Sequence, residues 1–241
     1  MQGLVILPNS PAALALSSAD MERRTASFNS RKVLLSSNPA LYISKTRLSI
    51  RQIPTFVTEH TLKRLATYSI KAFDDDVAGG SREALTQDEL EDNLKDDIFD
   101  KTSQKNLSKG RSAKVKQAKI VRQQERVDPV TGKARSKGYG FLEMHKHSDA
   151  LRVLRWANNN PEVGHLFDTW WREELADLLK TEKAKKPADE TKIKRISDEL
   201  QTAPKKSKGT LIIEFSIENT QVVQRRALLQ KEQKEKEQVE V

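Results

Sequence analysis

Lys137-Gly138-Tyr139-Gly140-Phe141 follows a basic turn that contains Lys133 and Arg135. Side chains alternate between the two faces of a strand, so Tyr139 and Phe141, two residues apart, share one face. Two aromatic rings on an uncovered strand face can stack planar rings, and Lys137 just before them can hold a phosphate. Gly138 and Gly140 have no side chains, which is expected to let the strand bend and a ligand approach closely. Other constellations are poor. His145 and His147 flank Lys146 without a cysteine or a compact carboxylate set, and no phosphate-binding loop, nucleophile elbow or metalloprotease helix is present. No catalysis, metal or cofactor is expected, and no small-molecule substrate.

Such a pair needs a sheet to stand on, and hydrophobic period supplies one. In "TRLSIRQI", Leu48 and Ile50 alternate with Arg47, Ser49 and Arg51, the pattern of a strand with one buried face. Pro54 ends it. Thr58 can cap a first helix reaching about Phe73, with Leu62, Leu65 and Tyr68 or Ser69 at helical spacing. "VKQAKIVRQ" reads as a second strand with Ala118 and Ile120 inward, and "GYGFLEM" as a third. "HSDALRVLRWANNN" reads as a second helix opening near Ser148, with Leu151, Leu154 and Trp156 or Ala157 inward, and "TLIIEFSI", residues 210–217, as the fourth strand. The order is βαββαβ, an α+β sandwich of the ferredoxin-like kind with helices on one sheet face.

Composition agrees with an anionic partner. The 241 residues carry a formal net charge of +9, with 36% apolar and 32% charged residues. The isoelectric point is near 9.6 and the mean hydropathy −0.69. One moderate core with long solvated additions is expected, and nucleic acid ahead of an anionic membrane as the polyanion. Cysteine is absent, which removes disulfides and thiolate metal sites and suits a reducing compartment. No run reaches the roughly 18 apolar residues of a membrane span, and the first twenty residues lack the basic start of a secretory signal. The charge is uneven. Residues 74–100 hold eleven acidic side chains against Arg82 and Lys95, and between Lys101 and Lys137 twelve Lys or Arg face Glu125 and Asp128. These blocks read as solvated segments, or as an acidic flap that competes with a nucleic acid.

The third strand, Lys137–Met144, matches a known consensus, K/R-G-F/Y-G/A-F-V-x-F/Y, except that the apolar sixth place holds Leu142 for Val and the last holds Met144. The chain therefore resembles an RNA recognition motif. Tyr139 and Phe141 would stack bases, with Met144 turned to the core. The first strand departs from that pattern. The place that offers an aromatic in the family holds Ser49, and Gln52 stands where Asn is common. A missing stack leaves open a second use of the fold, docking of a protein. "SNPALYISKTRLSIRQIP", "KGYGFLEMHKHSDALRVLRWANNNPE" and "LIIEFSIEN" resemble the last such motif of the nucleolar large-subunit assembly proteins, called nucleolar protein four in yeast and RNA-binding motif protein twenty-eight in animals. The resemblance covers residues 38–54, 114–162 and 209–219 well and the first 37 residues loosely, and it does not cover the inserts. It implies a non-catalytic, nucleolar factor that binds pre-ribosomal RNA of the large subunit beside assembly factors and ribosomal proteins. Members carry several such motifs, whereas one is visible here, so the chain is expected to be a portion of a longer protein. On this reading Tyr139, Phe141 and Ser49 line the platform; Lys137, Lys119, Arg122, Lys133 and Arg135 meet phosphates; and Arg51 supports the edge of the first strand.

The domain is thus placed at residues 45–219, with inserts at about 74–113 and 161–208, an N-terminal flank at 1–44 and a charged helical tail at 220–241. In the flank, Met21, Phe28, Leu34 and Leu35 fall on one stripe of a helix over 17–36, with Arg23, Arg24, Arg31 and Lys32 elsewhere; it packs on the domain or docks a partner. In the second insert, Phe167, Trp170, Trp171, Leu175, Leu178 and Leu179 have helical spacing. Adjacent residues of a helix point about 100° apart, so one of Trp170 and Trp171 is expected inward and the other left for a partner.

Overall fold

The computed structural model describes residues 6, 10–14, 16–90, 114–128, 130–185, 189–202, 209–226 and 228–229. Strands β1 (Leu41–Arg51), β2 (Val115–Val127), β3 (Ala134–Met144) and β4 (Ile212–Asn219) form one sheet in the order β2-β3-β1-β4. β3 pairs antiparallel with both β1 and β2. The described helices of length are α1 (Ser18–Ser37), α2 (Glu59–Ala78), α3 (His147–Ala157), α4 (Glu162–Ala184) and α5 (Glu190–Gln201). The chain divides into two compact units, Thr46–Glu214 and a second made of Met1–Lys45 with Phe215–Val241.

In the first unit, the signals read for α2 and α3 act as expected. Thr58 caps α2, its Oγ1 accepting from Thr61 N at 3.1 Å. Leu62, Leu65, Ala66, Ile70 and Phe73 bury one stripe of that helix, and Leu151, Val153, Leu154 and Ala157 bury a face of α3. They meet Leu48, Ile50, Ile120, Leu142 and Met144 from the sheet. Each fully buried side chain of this size stabilises the fold by about 1.5–3 kcal/mol. The Asn158-Asn159-Asn160 run is a structural joint. Asn159 adopts φ 61°, a left-handed conformation that Asn tolerates, and its N–H donates to Leu211 O. Asn158 Oδ1 accepts from Ile213 N at 3.1 Å, which fixes the start of β4, and Asn160 Oδ1 accepts from Glu162 N at 2.9 Å, which opens α4.

The second insert is a helical hairpin. Glu174 of α4 accepts from Thr58 Oγ1 and Thr61 Oγ1 at 2.9 and 2.7 Å, so its carboxylate sits at the N-terminus of α2, where the helix dipole favours an anion. Arg172 donates to the carbonyls of Leu200 and Thr202, and Lys192 pairs with Glu182 at 2.7 Å, tying α5 to α4. The spacing of Ile193, Ile196 and Leu200 behind the Asp189 cap signals α5, which the sequence reading passed over. The expectation for the tryptophans is corrected: both Trp170 and Trp171 are 4% exposed. The angle between them is used, not wasted. Trp170 meets Tyr68 and Phe167 edge-on with Arg64 over its ring, whereas Trp171 packs against Phe56.

The described start of the acidic block is also anchored to the helices. Asp74 pairs with Arg152 at 2.9 Å, Asp76 with Arg82 at 3.2 Å, and Glu89 with Arg155. Arg82 further donates to Arg155 O at 2.9 Å. Residues 91–113, with the rest of that block and the start of the basic one, lie outside the described residues.

In the second unit, α1 is capped by Ser17, which accepts from Asp20 N at 3.2 Å. Its buried positions differ from the expected stripe: Arg24 and Ser27 are buried, whereas Leu34 is 46% exposed. Arg31 donates to the Phe215 carbonyl. Thr220 N and Oγ1 both donate to Ala40 O at 3.0 Å, joining the start of β1 to the helical turn that follows β4.

Candidate nucleic-acid interface

Pairing between β1 and β3 sets Ser49 opposite Phe141, Arg51 opposite Tyr139 and Arg47 opposite Glu143. On the far side of β3, Lys119 of β2 is opposite Phe141. Because Leu48, Ile50, Leu142 and Met144 are 0–1% exposed in the core, the alternate residues stand on the other sheet face. That face therefore carries Arg47, Ser49, Arg51, Lys119, Tyr139, Phe141 and Glu143. Tyr139 is 39% exposed, while Phe141 and Ser49 are half-buried. Lys137, Arg135 and Lys133 are exposed nearby.

The glycines have a reason internal to the sheet. A Cβ at Gly140 would lie 2.6 Å from the Lys119 carbonyl oxygen, so the close approach that needs glycine is made by the neighbouring strand. Gly138 adopts φ 78°, its N–H donates to Ser136 Oγ, and its carbonyl accepts from Ile53 N at 2.9 Å. The bend was foreseen, but the room is filled by protein backbone.

Of the expected cations, Lys119, Arg135 and Lys137 are exposed and make no ion pair among the described residues. Lys133 sits in the turn between β2 and β3, where Asp128 Oδ1 accepts from Val130 N and Thr131 N at 2.9 and 3.0 Å. Arg122 is not part of the face. It reaches the helical side, donating to both carboxylate oxygens of Glu59 at 3.0 and 2.9 Å and to Ala134 O at 3.0 Å. Burial pushes the Glu59 carboxyl up, but the Arg122 hydrogen bonds and charge outweigh it and hold the carboxyl below the usual range. Arg122 thus clamps the first turn of α2 to the sheet. Arg51 donates to Glu214 Oε2 at 2.6 Å, and the Glu214 side chain is 2% exposed.

Two residues that the sequence reading left out shape the face. The Arg47 guanidinium carbon lies 4.7 Å from the Phe141 ring centroid, a cation–π contact. Its place two residues before Ser49 put it on the face, but nothing in the sequence said which ring it would cover. Glu214 was hidden in an apolar strand. Glu143 is paired with Lys116 at 2.7 Å. Chemically, the surface offers one exposed ring and one ring capped by a guanidinium, with a row of cations on its β2–β3 side.

Among the described residues no group of His, Cys, Asp and Glu could hold a metal ion, and no helix is long and apolar enough to cross a membrane. No family model matches the chain, and no solved structure matches it.

Proposed function

We propose that the chain is a non-catalytic RNA-binding protein built on an RNA recognition motif, acting on pre-ribosomal RNA of the large subunit in the nucleolus. The observation that carries the reading is the exposed Tyr139 ring beside Phe141, flanked by the exposed cations Lys119, Arg135 and Lys137. Bases present flat faces and a charged backbone, and an exposed ring with cations on the same strands suits both. The sheet order β2-β3-β1-β4 with two helices on one face supports the motif. The ribosomal part of the proposal rests on the sequence resemblance, and assembly factors and ribosomal proteins are the partners it brings.

A second reading, docking of a protein on the same fold, is favoured by the buried Glu214 carboxylate and by Arg47 on Phe141, which withdraw part of the face from nucleotides. Crosslinking in cells followed by sequencing of the bound RNA decides between them. The RNA reading expects precursor large-subunit RNA to be enriched, and Tyr139→Ala to reduce the yield while the protein remains folded. Yields unaffected by Tyr139→Ala would move the function to protein docking.

A further inference from the structure

The two halves of the sheet face are not equivalent. On the β1 side the cations are committed. Arg47 lies on Phe141, 4.7 Å from its centroid, and Arg51 is held at 2.6 Å by Glu214, a carboxylate only 2% exposed. Drawing Arg51 toward a phosphate would break its ion pair with that buried carboxylate, a costly exchange. On the β2–β3 side the cations are uncommitted: Lys119, Arg135 and Lys137 are exposed and make no ion pair among the described residues, and Glu143, two places beyond Phe141 on the face, is paired with Lys116. The rings differ in the same sense. Tyr139 is 39% exposed, whereas Phe141 is half-buried with one face given to a guanidinium.

We propose that this face is a one-base site for single-stranded RNA: one base stacks on Tyr139, the adjoining phosphates run along Lys119, Lys137 and Arg135, and Arg47 keeps Phe141 out of the stack. The inference rests on the RNA reading and narrows it. A single stack with no committed base-edge donor reads little sequence, so binding is tolerant of base identity and strongly salt-dependent. Three phosphates neutralised on a single strand correspond to a slope of roughly −2 in a plot of log affinity against log salt.

The test is fluorescence anisotropy of the full chain with fluorescein-labelled ten-nucleotide oligouridine and oligoadenine, at several salt concentrations. Tyr139→Leu is expected to weaken both by on the order of 5- to 140-fold, the fold-change of one lost stack, and Phe141→Leu by far less. Lys119→Gln, Arg135→Gln and Lys137→Gln should each flatten the salt slope by about 0.7. Arg47→Gln should leave affinity no weaker, since it uncovers a ring without removing a phosphate contact. It also serves as the check if Phe141→Leu unfolds the sheet. Equal losses for Tyr139→Leu and Phe141→Leu, or weakened binding by Arg47→Gln, would overturn the one-base site while leaving RNA binding intact. Failure of the folded wild-type chain to bind either oligonucleotide at low salt would instead remove the RNA reading, and this inference with it.

Discussion

Trp171 offers a test of what the second insert is for. The residue is 4% exposed, its ring centroid lies 5.9 Å from that of Phe56, and its Nε1 has no hydrogen-bond acceptor among the described residues. Trp171→Ala removes a buried indole and leaves a cavity, which costs about 3–5 kcal/mol. At about 2–4 °C per kcal/mol for a domain of this size, the melting temperature should fall by roughly 6–20 °C. Trp171→Phe is different. It vacates about 40 Å³, worth about 1 kcal/mol at about 24 cal/mol per Å³, together with the transfer free energy of the lost carbons. It also removes a buried donor whose lack of a partner costs about 1–3 kcal/mol. The two effects offset, so Trp171→Phe should melt within about 1 kcal/mol of the wild type. Thermal and urea melts of both variants measure this. If Trp171→Phe were as destabilising as Trp171→Ala, the indole N–H would have an acceptor and the argument would be wrong. If Trp171→Ala melted like the wild type, the insert would not be part of the core at all.

Gly140→Ala places a Cβ 2.6 Å from the Lys119 carbonyl oxygen and 3.2 Å from Ile120 Cα, both backbone atoms of β2, so overpacking should destabilise the chain by at least about 1–3 kcal/mol in urea unfolding; a neutral result would mean the β2–β3 pairing can open there. Glu59→Gln should lower stability at neutral pH by about 1–3 kcal/mol through its charge-assisted bonds to Arg122. Because the folded carboxyl titrates below its ordinary value of 4.5, its contribution is present above that value and is lost as pH falls through the lowered one, so the two stability curves should converge in acid; a pH-independent gap would refute the linkage. Ser49→Phe puts a ring opposite Phe141, where Arg47 already lies; melts and oligonucleotide titrations should show no gain in affinity, and a gain near 1 kcal/mol would mark an open two-ring platform.

The sequence by itself determined which residues of β1 and β3 face which way. Period-two alternation set Leu48 and Ile50 against Ser49, and Leu142 and Met144 against Tyr139 and Phe141, and the pairing register agrees. Thr58 and the leucines after it announced α2, because a cap and an apolar stripe are local signals. What lay beyond reach was every partner chosen across strands or helices. The two tryptophans are both buried because α4 lies with Tyr68 on one side and Phe56 on the other, so a 100° separation serves two packed surfaces. Arg122 looked like a phosphate contact until Glu59, sixty-three residues away, proved close enough to bind it. Arg47 and Arg51 are neighbours on one strand face, yet one lies on an aromatic ring and the other on a buried carboxylate. Charge and period are properties of the chain. Whether a cation remains available to a ligand depends on which acid or ring the tertiary structure brings within a few ångströms of it, where Coulomb attraction and desolvation decide the outcome.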